Sequence, residues 1–345
     1  AMSTNPSFDP SLFNSGVSQA QWVEWTSNRR APLINKAVAG LYAPGSTFKM
    51  VVALSGLEAK SISPTETVFC PGYLDFGDRR FHCWKRGGHG HLDMRGGLKN
   101  SCDVYFYEVA RRTGMDRIAA MAKRFGLGVK LDIELPGTRT GFVPTREWRI
   151  AQGHPWNIGD TIVSGIGQGY LQLTPLSLAT MAARIASGRA VQPHLTRSIG
   201  AATQPGAKPE EWPSMGLPER SLQVVRDGMW AVVNDPHGTA PLAKLALPGV
   251  QMAGKTGSVQ VRNVSREQRD RGYKSENLPW EFRPHALFVA YAPYDAPRYA
   301  LSLVVEHGNA GAEAAAPIAR AIMTDVLTRD PAARLRVADA GKPKS

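Results

Sequence analysis

The segment from Gly45 to Lys49, with the sequence GSTFK, constrains this chain more than any other stretch. A Pro-Gly turn leads into it, and the apolar residues that follow recur at the spacing of a helix that is buried on most of its circumference. The pattern predicts a helix over residues 46–60 that Ser46 opens. Because residues three apart project from one face of a helix, the amine of Lys49 can reach the hydroxyl of Ser46. The segment therefore predicts a nucleophile beside a base.

This chemistry requires Lys49 to be a neutral amine, since an ammonium group has no lone pair with which to take the Ser46 proton. Burial and a second nearby cation both favour the neutral form of a lysine. The same spacing is also typical of a capped helix start followed by a solvated lysine. The pair on its own is therefore a hypothesis that other residues have to support.

Two more motifs follow, and their order supports the hypothesis that Ser46 and Lys49 are a nucleophile and its base. Residues 101–103 have the sequence SCD and lie where apolar spacing predicts a helical stretch from Leu98 to Phe125. Residues 255–258 have the sequence KTGS and lie in a run, residues 250–261, with the character of a strand. S-x-x-K, then S-x-N or a variant, then K-T-G is the ordered pattern of the penicillin-recognising serine acyltransferases.

The resemblance extends beyond the three motifs. The chain resembles the transpeptidase domain of the class B penicillin-binding proteins, and above all their elongation-type members, from about Asn5 to about Leu327. This resemblance implies an α/β (α+β) fold of the kind that penicillin-binding proteins share with serine β-lactamases. Helices cover an antiparallel sheet in this fold, next to an all-helical subregion. The supporting stretches are residues 5–10, 40–46, 88–90, 144–148 and 165–170.

We expect one transpeptidase domain over residues 4–329, because the motif residues are spread along the whole length and have to converge. Further helices are expected over residues 174–185, 222–233 and 312–327, and adjacent antiparallel strands over residues 285–292 and 299–307. The remaining expected parts are a cloning remnant (1–3), a loop region with short strands and a candidate zinc site (61–93), a linker rich in glycine and proline (126–175), a mobile loop (262–284) and a disordered tail (330–345).

The resemblance also implies a catalytic set of four residues. Ser46 would attack the substrate carbonyl, and Lys49 would remove its proton. Ser101 would relay a proton toward the leaving amine. Lys255 would offer a fixed positive charge to a substrate carboxylate.

A second set of residues would bind substrate. Thr256 and Ser258 offer hydroxyl donors, Gly257 allows close approach of the backbone, and the backbone N–H groups of Ser46 and Ser258 would form an oxyanion hole. Asp103 stands where many relatives have asparagine, and an ionised carboxylate cannot donate a hydrogen bond. An ion pair with a motif lysine is the alternative to direct substrate binding by Asp103.

The implied activity is peptidoglycan cross-linking by a serine D,D-transpeptidase, with residual carboxypeptidase activity and no cofactor for the chemistry. Its partners would be peptidoglycan stem peptides, β-lactam antibiotics and the glycosyltransferase of the elongation machinery. Such enzymes lie on the periplasmic face of the inner membrane, so we expect an N-terminal anchor outside this sequence. A serine β-lactamase, a β-lactam sensor and an inactive cell-wall scaffold are the alternatives.

The cysteine count points to a further feature of the loop region. The chain has three cysteines, Cys70, Cys83 and Cys102, with His89 among them. A tetrahedral Cys3His zinc site would use all four residues and would order the loop. Elongation-type relatives place metal ligands at corresponding positions, so the resemblance implies that these four bind zinc. A disulfide with one free thiol is the alternative. Substitute ligands in the same region are His82, His91 and Asp93.

Charge and hydropathy narrow the class of partner. The chain carries 41 Lys and Arg against 29 Asp and Glu, a net charge of +12. The basic residues are scattered and accompany no nucleic-acid-binding motif, so we expect no nucleic-acid partner. A surface close to anionic lipid and carboxylate-rich cell wall fits the charge better. The sequence contains no apolar run of about 18 residues, the length that a membrane-spanning helix requires.

Overall fold

The computed structural model describes residues 1–196, 198–199, 202–203, 212–261 and 275–331. The α-helices are α1 (Leu12–Ser15), α2 (Gln19–Ser27), α3 (Lys36–Ala39), α4 (Lys49–Glu58), α5 (Met94–Lys99), α6 (Asp103–Thr113), α7 (Met115–Arg124), α8 (Arg146–Ala151), α9 (Ile158–Ser164), α10 (Pro175–Ser187), α11 (Glu219–Asn234) and α12 (Ala316–Arg329). The strands are β1 (Val68–Cys70), β2 (Tyr73–Phe76), β3 (Arg79–His82), β4 (Gly90–Leu92), β5 (Ser198–Ile199), β6 (Ala202–Thr203), β7 (Ala253–Val259), β8 (His285–Ala292) and β9 (Tyr299–Val305).

The sheet that carries the KTGS motif has the order β7-β8-β9, and both pairings are antiparallel. Lys255 on β7 lies opposite Val289 on β8, and Ala290 lies opposite Leu301 on β9. Alternate side chains of a strand point to opposite faces, and the residues of β8 from Ala286 to Ala292 are all buried, so both faces of this central strand are covered. The strands predicted at residues 285–292 and 299–307 are confirmed, although the second ends two residues earlier.

The two faces of β8 contribute to two different cores. Leu287, Val289 and Tyr291 pack into the larger core, which the helices α4, α6, α7 and α10 also enter. Ala286 and Phe288 face the other way into a smaller core against α12. The alternation along one strand therefore joins a mostly helical region to a sheet-and-helix layer, as the predicted fold class requires.

Helix α4 runs through the larger core. All residues from Lys49 to Gly56 are buried, and the segment is too apolar for a surface helix. The predicted helix over residues 46–60 is present, but its first turn, Gly45–Phe48, is a 3-10 turn. Thr47 supports this turn through a 2.7 Å hydrogen bond from its hydroxyl to the carbonyl of Pro44.

The single helical stretch predicted from Leu98 to Phe125 is wrong in its continuity. The chain breaks after α5, where Ser101 has a positive φ of 50°, and again at Gly114, where φ is 84°. Cys102 begins α6 by accepting a hydrogen bond from the Tyr105 N–H at its sulfur. Apolar spacing could not reveal these breaks, because the helices on either side keep nearly the same periodicity.

The segment predicted as a linker, residues 126–175, contains two helices. Its glycine and proline content did not indicate them. Helix α8 begins at Thr145, whose hydroxyl accepts from the Trp148 N–H. Helix α9 begins at Asn157, whose N–H donates to the Asp160 carboxylate at 2.9 Å. Local capping therefore outweighs the helix-breaking composition here. The helix predicted at residues 174–185 is confirmed as α10.

The loop region 61–93 holds two small antiparallel ladders, β1 with β4 and the hairpin of β2 with β3, as predicted. Of the loop predicted at residues 262–284, residues 262–274 lie outside the described residues, and the remainder forms two 3-10 turns. Residues 332–345 of the predicted tail also lie outside the described residues. The helices expected at residues 222–233 and 312–327 are present as α11 and α12, the latter after one π-helical turn.

Among the helices that the structure describes, none combines the length and the apolar character that crossing a bilayer requires.

Gly165 tests how tightly α9 packs on α6. A Cβ at this position would lie 2.4 Å from the Ala110 Cβ and 3.0 Å from the Phe106 carbonyl oxygen. We expect Gly165→Ala to force the helices apart, which costs about 1–3 kcal/mol of stability, and to lower the midpoint of thermal unfolding by several degrees. Gly87→Ala is the matched control, because a Cβ there meets no atom within 4 Å. Equal midpoints for the two variants would contradict this packing.

Candidate active site

Ser46 lies in the 3-10 turn at the start of α4 and is only partly buried. The turn packs directly against β7: a Cβ on Gly257 would lie 3.0 Å from the Pro44 carbonyl oxygen and 3.1 Å from a methyl carbon of Thr47. Glycine at position 257 therefore permits the close approach that brings the S-x-x-K and K-T-G motifs together.

Lys49 is completely buried, and its amine contacts the second motif. Its Nζ donates to the Ser101 carbonyl at 2.8 Å and to Asp103 Oδ1 at 2.7 Å, and it lies 3.4 Å from Ser101 Oγ. Sequence spacing predicted that the amine reaches Ser46. In the described part of the chain the hydrogen bonds of this amine go to Ser101 and Asp103 instead.

Asp103 is held from two sides. Its Oδ1 accepts from Lys49, and its Oδ2 accepts from the backbone N–H of Trp84 at 2.9 Å. The carboxylate is nearly buried, with its side chain 12% exposed. The structure therefore places Asp103 in the ion pair that the sequence left open as an alternative to substrate binding.

Lys255 is also completely buried. Its Nζ donates to Ser101 Oγ at 2.8 Å and to the Thr256 carbonyl at 3.2 Å. Burial lowers the pKa of Lys255 well below its ordinary value, the charge of Lys49 lowers it further, and Asp103 partly opposes both. A fixed positive charge that contacts a substrate carboxylate does not fit this geometry, because the amine is buried and its neutral form is favoured.

Ser101 lies between the two amines. Its hydroxyl contacts Lys49 and Lys255, and its carbonyl accepts from Lys49. The left-handed backbone at Ser101, with φ of 50°, presents both oxygens to the same side. The three motifs thus meet around one hydroxyl.

The other residues predicted on β7 line the exposed side of this cluster. Thr256 is 8% exposed, and its hydroxyl lies 3.5 Å from Lys255 Nζ. Ser258 is exposed, and its Oγ accepts from the Gly311 N–H at 3.1 Å, which leaves its own proton free to be donated. The structure therefore brings all eight predicted catalytic and substrate-binding residues to one region.

Two residues of this region were not predicted as site residues. Gly167 packs on the 3-10 turn that bears Ser46: a Cβ at position 167 would lie 2.0 Å from the Gly45 carbonyl oxygen, and the Gly45 N–H donates to the Gly167 carbonyl at 2.9 Å. The glycine-rich stretch around Gly167 belongs to the family resemblance, but no motif in the sequence marks Gly167 itself. Trp84 carried no local signal, since its contact to Asp103 joins residues from different parts of the chain.

The cysteines and His89 form a compact cluster behind the second motif. One ligand atom from each of Cys70, Cys83, His89 and Cys102 lies within 4.8 Å of all the others. His89 Nδ1 is 3.6 Å from the Cys70 sulfur and 3.5 Å from the Cys83 sulfur. The edge between sulfur and nitrogen in a tetrahedral zinc site is about 3.5 Å, from zinc–ligand bonds of about 2.3 and 2.0 Å. The four residues therefore fit a tetrahedral metal.

All three cysteines are free thiols, so the structure does not contain the predicted alternative of a disulfide. A hydrogen bond from Cys102 lowers the pKa of Cys83 to about 2, although burial opposes it. Burial raises the pKa of Cys70.

The three substitute ligands have other contacts. The Asp93 carboxylate accepts from the Gly96 N–H at the start of α5. The His91 ring packs on Phe69 at 5.0 Å. The His82 carbonyl accepts from the Tyr107 hydroxyl.

Comparison with curated proteins finds close relatives. The peptidoglycan D,D-transpeptidase MrdA of Haemophilus influenzae is 36% identical over 335 residues, which cover 95% of this chain and 51% of that protein. The protein of the same name from Escherichia coli K12 is 34% identical over 336 residues, which cover 96% of this chain and 52% of that protein. The chain thus spans about half the length of the curated relatives it matches.

Comparison with solved structures finds the same group of proteins as the comparison with curated proteins. Pseudomonas aeruginosa PBP2 in complex with WCK 5153 is 36% identical, with a TM-score of 0.81 over 93% of this chain and 66% of that one. Helicobacter pylori PBP2 in its complex with MreC is 29% identical, with a TM-score of 0.83 over 95% of this chain and 57% of that one. The predicted fold class and the predicted resemblance to elongation-type enzymes are confirmed.

The family model described as the penicillin binding protein transpeptidase domain matches residues 1–324. That range contains all three motifs and the whole Cys/His cluster. The chain therefore belongs to the family of penicillin-binding protein transpeptidase domains.

Proposed function

We propose that this chain is the catalytic domain of a peptidoglycan D,D-transpeptidase that works through an acyl-enzyme on Ser46 and is acylated there by β-lactam antibiotics. The observation that carries the proposal is the convergence of Lys49 and Lys255 on the Ser101 hydroxyl, beside the turn that bears Ser46. A serine nucleophile needs a neighbouring base and a route for its proton. The curated relatives are named as enzymes of this activity, which supports the assignment.

Acylation begins when Ser46 Oγ attacks the carbonyl of a terminal D-Ala-D-Ala peptide. A bond forms between Oγ and the carbonyl carbon, and the bond from that carbon to the terminal D-Ala nitrogen breaks. The backbone N–H groups of Ser46 and Ser258 stabilise the charge that develops on the carbonyl oxygen. The hydroxyls of Thr256 and Ser258 bind the substrate carboxylate.

The proton moves along the chain Lys49–Ser101–Lys255. A neutral Lys255 amine has a lone pair, so it can accept the proton of Lys49 through the Ser101 hydroxyl at the moment when Lys49 accepts the proton of Ser46. The leaving D-Ala amine receives a proton from this chain. In the second half-reaction an acceptor amine attacks the acyl carbon, and its proton returns through the chain to Ser46 Oγ.

The location and partners that the proposal implies follow from the relatives. The activity consumes peptidoglycan stem peptides, so the enzyme works on the periplasmic face of the inner membrane, anchored by a segment outside this sequence. A complex with MreC is known for Helicobacter pylori PBP2, and another related chain, 31% identical, comes from a peptidoglycan synthase complex. We include a glycosyltransferase of the elongation machinery among the partners on this basis.

We also propose that Cys70, Cys83, His89 and Cys102 hold a structural zinc ion. The support is the tetrahedral spacing of the four ligand atoms and the absence of disulfides among these three cysteines. When bound, zinc would join the loop region 61–93 to the start of α6. The acyl-transfer chemistry uses no cofactor.

The nucleophile is tested by labelling with a fluorescent penicillin. We expect the wild-type chain to gain one acyl group per molecule, which fragmentation of the peptide containing residues 37–49 places on Ser46, and Ser46→Ala to gain none. Ser55→Ala, a buried serine on the same helix, is the control and should label normally. An adduct on another residue, or full labelling of Ser46→Ala, would contradict the proposal.

The lowered pKa of Lys255 predicts a pH dependence of stability. Between that lowered pKa and the ordinary lysine value of about 10.4, the unfolded chain binds one proton more than the folded chain. The free energy of unfolding should therefore rise with pH in this window, by up to about 1.4 kcal/mol per unit. Lys255→Met should remove the rise, and Lys244→Met, at an exposed lysine, should keep it. Urea titrations across the window measure the slopes, and equal slopes in all three proteins would refute the neutral Lys255.

Metal binding is tested by native mass spectrometry with zinc added and with a chelator. We expect one zinc per chain in the wild type and in His91→Ala, whose ring lies outside the cluster, and none in His89→Ala. Chelation should lower the midpoint of thermal unfolding only in the proteins that bind zinc. Zinc retained by His89→Ala would exclude this ligand set.

A further inference from the structure

Trp84 joins two chain segments beside the proposed proton chain. Its backbone N–H donates to Asp103 Oδ2 at 2.9 Å, and its indole Nε1–H donates to the Asn100 carbonyl at 3.1 Å. The two bonds reach the residues on either side of Ser101 and Cys102. The indole is nevertheless 59% exposed, so burial of apolar area does not explain its position.

The segment that Trp84 holds is strained. Ser101 adopts φ of 50°, a left-handed conformation that is unfavourable for a residue with a Cβ. Such a conformation persists only when its surroundings fix it. The fixed bend is also what presents the Ser101 carbonyl to Lys49 and the Ser101 hydroxyl to Lys255.

We propose that Trp84 is a positioning residue for acyl transfer, which holds residues 100–103 in the bend that aligns Ser101 with Lys49 and Lys255. This inference rests on the proposed function, since it assigns Ser101 to the proton chain. Trp84 acts through the backbone and Asp103. It therefore governs the rate of the chemical step rather than the affinity for substrate.

A ring contact with His89 also helps to fix the position of Trp84. Its ring packs edge-on against the His89 ring at 5.3 Å, and its neighbour Cys83 belongs to the Cys/His cluster. Cys102, from the same cluster, lies inside the segment that Trp84 binds. The two segments are thus joined both at the cluster and at Trp84.

The test compares Trp84→Phe with the wild type. Phenylalanine keeps the backbone N–H and an aromatic ring and removes only the indole donor. Acylation by a fluorescent penicillin is followed over a range of concentrations, which separates the limiting rate from the apparent dissociation constant. Trp22→Phe is the matched control, because Trp22 is also exposed, at 47%, and lies far from Trp84 in the sequence.

We expect the limiting acylation rate of Trp84→Phe to fall about two- to tenfold, the factor that corresponds to one hydrogen bond of ordinary strength, with an unchanged dissociation constant. Trp22→Phe should match the wild type. Amide hydrogen exchange without β-lactam should be faster in Trp84→Phe over residues 100–103 and unchanged elsewhere.

Three results would overturn the inference: an unchanged limiting rate, a loss confined to the dissociation constant, or exchange that is either unchanged at residues 100–103 or faster throughout the chain. The exchange measurement needs no acylation. If the wild type is not acylated at all, the proposed function fails, while exchange still reports whether Trp84 fixes the segment.

Discussion

The burial of two lysines around one hydroxyl, with a single carboxylate paired to one of them, is the constraint on which the rest of this structure depends. Lys49 and Lys255 are both completely buried; Asp103 contacts Lys49, and the hydrogen bonds of Lys255 go to Ser101 and Thr256. Two ammonium groups and one carboxylate would leave an uncompensated positive charge away from water, at a cost of several kcal/mol. The structure reduces this cost by favouring the neutral form of Lys255. A neutral amine connected to a second amine is what a serine nucleophile requires.

The fold maintains this arrangement through backbone contacts more than through long side chains. Gly257 brings β7 against the turn that bears Ser46, and Gly167 packs on the same turn from another side. The break between α5 and α6 turns Ser101 toward both lysines. The contacts of Gly257 and Gly167 join distant parts of the sequence, so this geometry exists only in the folded chain. Small displacements of any segment would separate the two amines from the Ser101 hydroxyl.

The sequence predicts the chemistry of this site better than its geometry. Ser46, Lys49, Ser101 and the KTGS strand could be named because each motif is local and the order of the three is specific. The depressed pKa of Lys255 could not be predicted, since it depends on burial and on the charge of Lys49. Trp84 had no local signal for the same reason. The helices α8 and α9 were not predicted because the glycine and proline content of residues 126–175 indicated a linker. The capping residues Thr145 and Asn157, which favour helices there, were not considered.

The central claim, that burial lowers the pKa of Lys255 well below the ordinary lysine value, is open to direct measurement. In a chain labelled with 13C-lysine, the shift of each Cε carbon reports the charge of its amine as the pH is raised. The account predicts that one lysine signal has the shift of a neutral amine well below the pH at which exposed lysines titrate, and that this signal is absent in Lys255→Met. If every lysine stays charged until pH values near the ordinary lysine pKa of about 10.4, the proposed proton chain is contradicted.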